Sequence, residues 1–376
     1  VGAMSMCFAG QPGPPVLKGN FPAFETPLPS SAAEWEARKP ALRQTLWRLL
    51  GDLPPRTPPK VETDRSERRE GFRLEHFRFD NGAGDTVYGY LLLPDGPPRR
   101  RPAILYHHYH GGNYEQGKEE LFRRAYADYG NAELVTGPEL ARRGYVVLAI
   151  DAYAFGQRIS QGPAGPRERG AQTEAALFKT FAWQGRTLWG MMVRDDLMAL
   201  DYLVARDEVD PERIAAMGMS MGSTRSWWAA ALDQRIRAVV SVACLTRYQD
   251  LVADGGVNFH GIYYYVPGML REKIDTESVV GLIAPRPHLT LCGDGPRLHA
   301  RHVARNPRVA RSPSQTVTAA TSLRHSRQQR GRATLRRGRD GSERLPRPPA
   351  WGKQARIPLQ TLPCAVARRA RALTTG

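Results

Sequence analysis

The most constraining feature of this sequence is a serine between two glycines, placed where a strand is expected to give way to a helix. Residues 213–217 form a short apolar run, the turn Gly218-Met-Ser-Met-Gly222 follows, and residues 224–232 have a helical composition. Because glycine lacks a Cβ, strand and helix can pack closely around such a turn. Ser220 is then held in a strained conformation with its hydroxyl exposed, as a nucleophile requires. An ordinary Gly/Ser turn is the alternative, and the flanking strand and helix favour the nucleophile.

The rest of the chain alternates between apolar strands and helices. Further strands are predicted at residues 103–109, 145–150, 236–244 and 288–292, and helices at residues 32–50 and 191–205. Residues 72–79 and 87–93 alternate in polarity around an Asn-Gly turn, which predicts an antiparallel hairpin. Repeated β-α-β units with apolar strands predict an α/β fold, with a mostly parallel sheet, helices on both faces and an antiparallel N-terminal edge.

The excess of positive over negative charge is confined to the C-terminal part of the chain. Residues 296–376 hold 19 basic and two acidic residues, which account for the whole net charge of +17. Leu, Ile, Val and Phe make up 12 of these 81 residues, and a fraction below about 20% with high charge indicates disorder. The abrupt change in composition at Pro296 favours out-of-frame translation over a genuine basic extension, whose arginines would bind nucleic acid phosphates.

Several protein classes receive no support from the composition. No stretch approaches the length of about 18 apolar residues that a membrane helix needs, and the N-terminus lacks the pattern of a signal peptide. A cytoplasmic protein is therefore expected. The cysteines Cys7, Cys244, Cys292 and Cys364 show no metal-binding spacing, and Cys244 and Cys292 are predicted to be buried thiols in strands.

The motif His-His-Tyr-His-Gly-Gly at residues 107–112 closes an apolar strand. Acyl transfer places negative charge on a carbonyl oxygen, which two backbone N–H groups must stabilise. The predicted donors are the amide of Met221 and that of Gly111 or Gly112. A metal site made from the three histidines is the alternative. The first two are adjacent, so on a strand they point to opposite faces, and no carboxylate or cysteine is spaced to complete the ligand set.

Three other segments are candidates for supporting roles. Residues 151–158 are predicted to line a substrate pocket or to fix a neighbouring loop, and a purely structural turn is an equal alternative. Residues 194–196, Arg-Asp-Asp, are predicted to open a helix, where acids interact favourably with the helix dipole. Residues 245–283, with the aromatic run Tyr263-Tyr264-Tyr265, are predicted to overhang the site as a lid.

Taken in order, these motifs resemble the bacterial α/β-hydrolase esterases of the dienelactone-hydrolase and acetyl-xylan-esterase type. The similarity covers roughly residues 70–295 and is carried by residues 110–112, 139–148, 151–158, 218–222 and Ala284-Pro-Arg-Pro287. It implies an α/β-hydrolase fold, a Ser-His-Asp triad and hydrolysis of esters, commonly with short acyl groups. It implies no cofactor.

Mapping the triad onto this sequence assigns Ser220 as the nucleophile. The family pattern Gly-Asp-x-Asp follows the last strand, whereas this chain has Gly293-Asp294-Gly295-Pro296. Proline therefore stands where the resemblance implies the catalytic acid, and Asp294 is the nearby substitute. Of the three histidines after Asp294, His325 has the most suitable separation and is the predicted base, although it lacks the glycine-led loop of the family.

The sequence therefore predicts an N-terminal arm and helix (residues 1–69), an α/β-hydrolase domain (70–295) and a basic tail (296–376). The predicted function is hydrolysis of small-molecule carboxylic esters, of the short-acyl (acetyl) type, through a serine nucleophile and an acyl-enzyme. The alternative is a catalytically impaired hydrolase fold that acts as a binding protein and contacts nucleic acid through its tail. Nucleic acid is not the expected partner, and no metal is expected.

Overall fold

The computed structural model describes residues 24, 29–123, 136–253 and 256–291. Eight strands form one sheet in the order β1-β2-β3-β5-β4-β6-β7-β8. Their bounds are β1 Val61–Arg69, β2 Phe72–Asp80, β3 Thr86–Pro94, β4 Arg101–His107, β5 Val146–Ile150, β6 Val209–Met219, β7 Ile236–Val242 and β8 His288–Leu291. Strands β1 to β3 and the β3–β5 pair are antiparallel, and the pairs from β5 to β8 are parallel. The predicted α/β fold with an antiparallel N-terminal edge is confirmed.

Helices cover both faces of this sheet. They are α1 Ala32–Leu50, α2 Gly137–Arg142, α3 Ala171–Trp183, α4 Leu188–Ala205, α5 Met221–Leu232, α6 Tyr248–Ala253 and α7 Thr276–Gly281. Along β4, Ala103 and Leu105 join the apolar core that contains the side chains of α1, α4 and α5, whereas Ile104 and Tyr106 join the core beneath α2. This alternation follows from the period of two of a strand. None of the described helices has both the length and the apolar character needed to cross a bilayer.

The structure differs from the sequence expectations at several places. Strand β1 was not predicted because its side chains are polar and mostly exposed, and pairing with β2 holds it in the sheet. Helix α4 begins at Leu188 rather than Met191, because the Thr187 side chain accepts the Gly190 amide and caps the helix there. Strand β7 ends at Val242, before two residues with positive φ, and β4 ends at His107.

Candidate active site

Ser220 lies at the sharp turn between β6 and α5. Its backbone has φ 54° and ψ −118°, a left-handed conformation that is costly for a residue with a side chain. The Ser220 amide donates to the Val242 carbonyl at 2.9 Å, which ties the turn to β7. A Cβ on Gly218 or Gly222 would collide with the backbone carbonyl of His107. These two glycines are therefore required because the end of β4 passes directly beside the turn.

The predicted oxyanion donors lie at the two elements that meet beside Ser220. Met221 is the first residue of α5. Its amide is therefore one of the first N–H groups of the helix, which have no acceptor within the helix. These groups form the positive end of the helix dipole. In the loop after β4, the Gly112 amide donates to Nδ1 of His110 at 3.0 Å. Of the two glycines predicted, Gly111 is therefore the better candidate for the second donor.

The adjacent histidines at the end of β4 point in opposite directions. His107 Nδ1 lies 2.8 Å from Ser226 Oγ on α5, whereas His108 Nε2 accepts the Ala152 amide at 3.0 Å. Burial lowers the pKa of His107 to about 4 and that of His108 well below its usual value. Both rings are therefore neutral supports for the loops around Ser220. The described residues hold no group of three or more His, Cys, Asp or Glu side chains suited to a metal ion.

His110 occupies the loop between β4 and the following 3-10 helix. Its Nδ1 accepts the Gly112 amide, so Nε2 carries the proton and donates to Glu174 Oε2 at 2.9 Å. The ring stacks on Tyr263, with centroids 4.8 Å apart and planes at 14°. Glu174 belongs to α3 and Tyr263 to the predicted lid, so His110 connects both to the oxyanion loop.

Residues 151–158 fix the neighbouring loop, one of the roles considered from the sequence. The buried Asp151 carboxylate accepts the backbone amide of Lys118 at 2.8 Å, its ammonium at 2.7 Å and the Gln157 amide at 3.0 Å. Gly156 packs against this carboxylate, and a Cβ there would collide with it. The turn is thus organised around one buried, fully bonded carboxylate. Phe155 packs its ring 5.0 Å from that of His110.

Asp195 and Asp196 do not act at a helix N-terminus, and that prediction is wrong. They lie in the third turn of α4 and are buried. Arg225 on α5 donates to Asp196 from Nε at 3.0 Å and from Nη2 at 2.5 Å. Arg158 Nη1 lies 2.9 Å from Asp195. The sequence signal for the Asp196–Arg225 pair was an aspartate and an arginine within two helices that are mostly apolar.

Cys244 lies beside Ser220 rather than inside a strand. It follows β7 with φ 52°, is only half-buried, and places its Sγ 3.5 Å from Ser220 Oγ. The prediction of a buried strand thiol is therefore wrong for Cys244, while Cys292 lies outside the described residues. The left-handed backbone at Ala243 and Cys244 turns the chain back toward Ser220.

The aromatic run of the predicted lid is packed inward. Tyr263 and Tyr264 are each 5% exposed, and their rings pack 6.3 Å and 5.1 Å from that of Trp189 on α4. Burial raises the pKa of both phenols well above the usual value, so both stay protonated. Tyr265 is 37% exposed. The segment therefore forms a packed wall next to His110.

Comparison with known proteins gives the family. A sequence model described as "Dienelactone hydrolase family" matches residues 126–257, which include the Ser220 turn. The protein of Bacillus subtilis (strain 168) named "Putative hydrolase YtaP" is 41% identical over 256 residues, covering 68% of this chain and 81% of that protein. The chain belongs to the dienelactone hydrolase family. It is a hydrolase of this family, as its motifs predicted.

Solved structures show the same fold as this dienelactone hydrolase family member. One is titled as a "putative acetyl xylan esterase" from Bacteroides fragilis NCTC 9343, with TM-score 0.56, 20% identity and coverage of 69% of this chain and 68% of that one. Another is a glucuronoyl esterase from Solibacter usitatus, with TM-score 0.52, 17% identity and coverage of 73% and 81%. At these identities the similarity concerns the α/β-hydrolase fold.

Two of the predicted triad residues, Asp294 and His325, lie outside the described residues. Within the described ranges, no histidine lies within hydrogen-bonding distance of Ser220 Oγ, and the thiol of Cys244 is its side-chain neighbour. Asp294 and His325 therefore stay predictions for this family member.

The sequence analysis did not single out Glu120, yet Glu120 holds the start of the loop after β4 that carries Gly111 and Gly112. Its buried carboxylate accepts the Tyr106 hydroxyl at 2.8 Å and the Tyr109 amide at 2.5 Å. Burial raises the pKa of Glu120 to about 7 from an ordinary value of 4.5, and these two hydrogen bonds act in the opposite direction. The carboxyl group therefore costs stability when it is ionised.

This environment predicts a pH-dependent contribution to stability. Between pH 5 and 8 the folded state binds more protons at Glu120 than the unfolded state does. The free energy of unfolding should therefore fall as pH rises, by about 2–3 kcal/mol from this group. Urea denaturation of Glu120→Gln at pH 5 and pH 8 should show a free energy of unfolding without this decrease. Glu212→Gln, at an exposed position, is the control. An equal pH dependence in Glu120→Gln and wild type would contradict the assignment.

Proposed function

We propose that this chain is a serine hydrolase that cleaves short-acyl, acetyl-type carboxylic esters through an acyl-enzyme. The observation that carries the proposal is the backbone of Ser220, with φ 54° at the β6–α5 turn. That turn stands at the carboxyl edge of the parallel strands, where α/β sheets bind their ligands. A strained serine at this position, followed at once by a helix N-terminus, is the arrangement of a nucleophile elbow.

The proposed reaction has two halves. Ser220 Oγ attacks the ester carbonyl carbon while His325 takes the hydroxyl proton, and Asp294 orients the histidine. The amides of Met221 and Gly111 stabilise the resulting oxyanion. The tetrahedral intermediate then collapses, the C–O bond to the alcohol breaks, and His325 returns the proton to the leaving alkoxide. Water, deprotonated by the same histidine, then attacks the acyl-enzyme. The bond between the acyl carbon and Ser220 Oγ breaks, the acid leaves, and His325 returns the proton to Ser220 Oγ.

The packed wall next to His110 supports a small acyl group. Tyr263 stacks on His110, and both Tyr263 and Tyr264 pack against Trp189. Met221 is fully buried next to the nucleophile. These packed side chains leave little space for a long acyl chain. A close-packed interior accommodates extra methylenes only with strain.

A series of p-nitrophenyl esters tests this function. We expect kcat/KM for the acetyl ester to exceed that for the octanoyl ester by at least about tenfold, because the packed wall leaves little space for a long acyl chain. A methylene that fits an apolar pocket stabilises the transition state by only about 1–3 kcal/mol, whereas a methylene that clashes displaces the ester carbonyl from Ser220 Oγ. Rates with Ser220→Ala give the uncatalysed background. A steady rise of kcat/KM with chain length would indicate an open, lipase-like groove and contradict the short-acyl assignment.

The alternative function remains distinguishable in the same preparation. A catalytically impaired fold that binds nucleic acid through residues 296–376 would retain DNA in a salt-dependent manner and turn over no ester. That combination of results would contradict the hydrolase proposal. Ester turnover that is unaffected by added DNA would support it.

A further inference from the structure

Five arginines surround a cavity at the amino-terminal ends of the parallel strands, at the end of the sheet opposite Ser220. The cavity has a volume of about 300 Å³ and is lined by Arg99, Arg100, Arg101, Arg143 and Arg213. Arg101 begins β4 and Arg213 lies in β6, while Arg143 directly follows α2. Three segments that are distant in sequence therefore bring five arginines to one cavity.

This cavity is separate from the candidate active site. Its arginines lie toward the amino-terminal ends of the parallel strands β4 and β6, whereas Ser220 follows the carboxyl end of β6. The seven residues of β4 separate the two edges, a distance of about 20 Å at the rise of a strand. A ligand in the arginine cavity would thus leave the nucleophile uncovered.

Arg101 is a buried charge without a carboxylate. It is 6% exposed, and its Nη2 donates to the backbone carbonyls of Asp95 at 3.0 Å and Pro97 at 3.4 Å. No ion pair joins it to an acid in the part of the chain that the structure describes. Removing a guanidinium from water without a counter-charge is costly, and a bound anion would offset that cost.

The arginines around Arg101 are also poorly neutralised. Arg99, Arg100 and Arg143 are exposed, and none of them takes part in an ion pair within the described ranges. Arg213 reaches Asp210 only at 4.0 Å. The other acids nearby already have partners: Asp95 pairs with Arg68 at 3.5 Å, and Glu208 pairs with Arg206 at 2.8 Å. The cavity therefore carries a local excess of positive charge that the balanced composition of the surrounding domain does not reveal.

We propose that this arginine cavity binds the phosphate groups of a small phosphorylated molecule. Guanidinium groups donate in a planar fork that matches two phosphate oxygens, which makes arginine the preferred side chain for this recognition. One buried and several peripheral guanidinium groups can contact two adjacent phosphates, as in a diphosphate. The volume is at the lower end of the range for small-molecule sites, about 300–1,000 Å³, and accommodates such a group.

Titration with inorganic pyrophosphate tests the proposal on the full chain. Isothermal calorimetry at constant ionic strength should show saturable binding with a Kd below about 1 mM. The double variant Arg100→Gln/Arg143→Gln should bind at least about tenfold more weakly, since both groups are exposed and their loss leaves the core intact. Arg271→Gln, another exposed arginine far along the chain, is the matched control and should bind as wild type does.

Other results would overturn the proposal. The first is an absence of saturable pyrophosphate binding up to about 10 mM, which corresponds to a binding free energy weaker than about 3 kcal/mol. The second is equal pyrophosphate binding by wild type and the double variant. A DNA duplex that binds through the same arginines while pyrophosphate does not would assign the surface to nucleic acid instead. Ester hydrolysis by the double variant should stay at the wild-type rate, so this outcome is independent of the proposed function.

Discussion

Replacing Ser220 by alanine is expected to lower kcat for p-nitrophenyl acetate by at least about 10⁴-fold. The acyl-enzyme cannot form without Oγ, and only the oxyanion donors and substrate binding would remain. The same change should abolish labelling by a fluorophosphonate probe, because Ser220 Oγ is the proposed group that attacks phosphorus. Kinetics and peptide mapping of the labelled protein measure both effects. Circular dichroism should show an unchanged fold, since the Ser220 side chain is only half-buried.

Matched variants separate the nucleophile from the rest of the predicted triad. Ser66→Ala, at an exposed position of β1, should keep full activity and labelling. His325→Ala and Asp294→Ala should each lower kcat by about 10³-fold or more if these residues are the base and its partner. Equal labelling of wild type and Ser220→Ala would refute the nucleophile assignment. Full activity in His325→Ala would reassign only the base.

Removing the Asp196 carboxylate is expected to cause the largest loss of stability. Asp196 and Arg225 are both wholly buried and share two hydrogen bonds, and His107 Nε2 lies 3.6 Å from the same carboxylate. Asp196→Ala would leave the Arg225 guanidinium uncompensated inside the core beneath Ser220. Breaking one partner of such a pair costs about 3–5 kcal/mol. Urea denaturation should show this decrease in the free energy of unfolding.

The size of this effect depends on the charge that is left behind. Asp196→Ala/Arg225→Leu, which removes both charges, should recover most of the loss. Glu62→Ala is the control, because the Glu62 side chain is 68% exposed and its partner Arg78 also pairs with Asp64. A pair of that kind contributes about 0–1 kcal/mol. A loss below 1 kcal/mol in Asp196→Ala would show that the buried pair does not stabilise α4 against α5.

The predictions that the structure confirmed rest on local sequence. Helix α1 has the predicted bounds because the Ser31 side chain caps it at the Glu34 amide and prolines follow it. The Ser220 turn could be recognised because Gly218 and Gly222 are required by sterics within five residues. The order of apolar strands and helices gave the fold class, since a buried parallel sheet needs continuous apolar runs.

The tertiary structure decided which polar residues meet. Asp196 finds Arg225, and Cys244 finds Ser220 Oγ, across elements that the sequence separates by more than twenty residues. Local reasoning assigned Asp196 to a helix dipole because no pattern within α4 reveals a partner on α5. The arginine cavity likewise depends on three segments whose approach is set by sheet order. The sequence by itself determined the fold and the Ser220 turn, since both follow from short-range sterics and apolar periodicity. Only the folded chain fixed the charge pairs and the cavity, because these interactions depend on distances between residues that are remote in sequence.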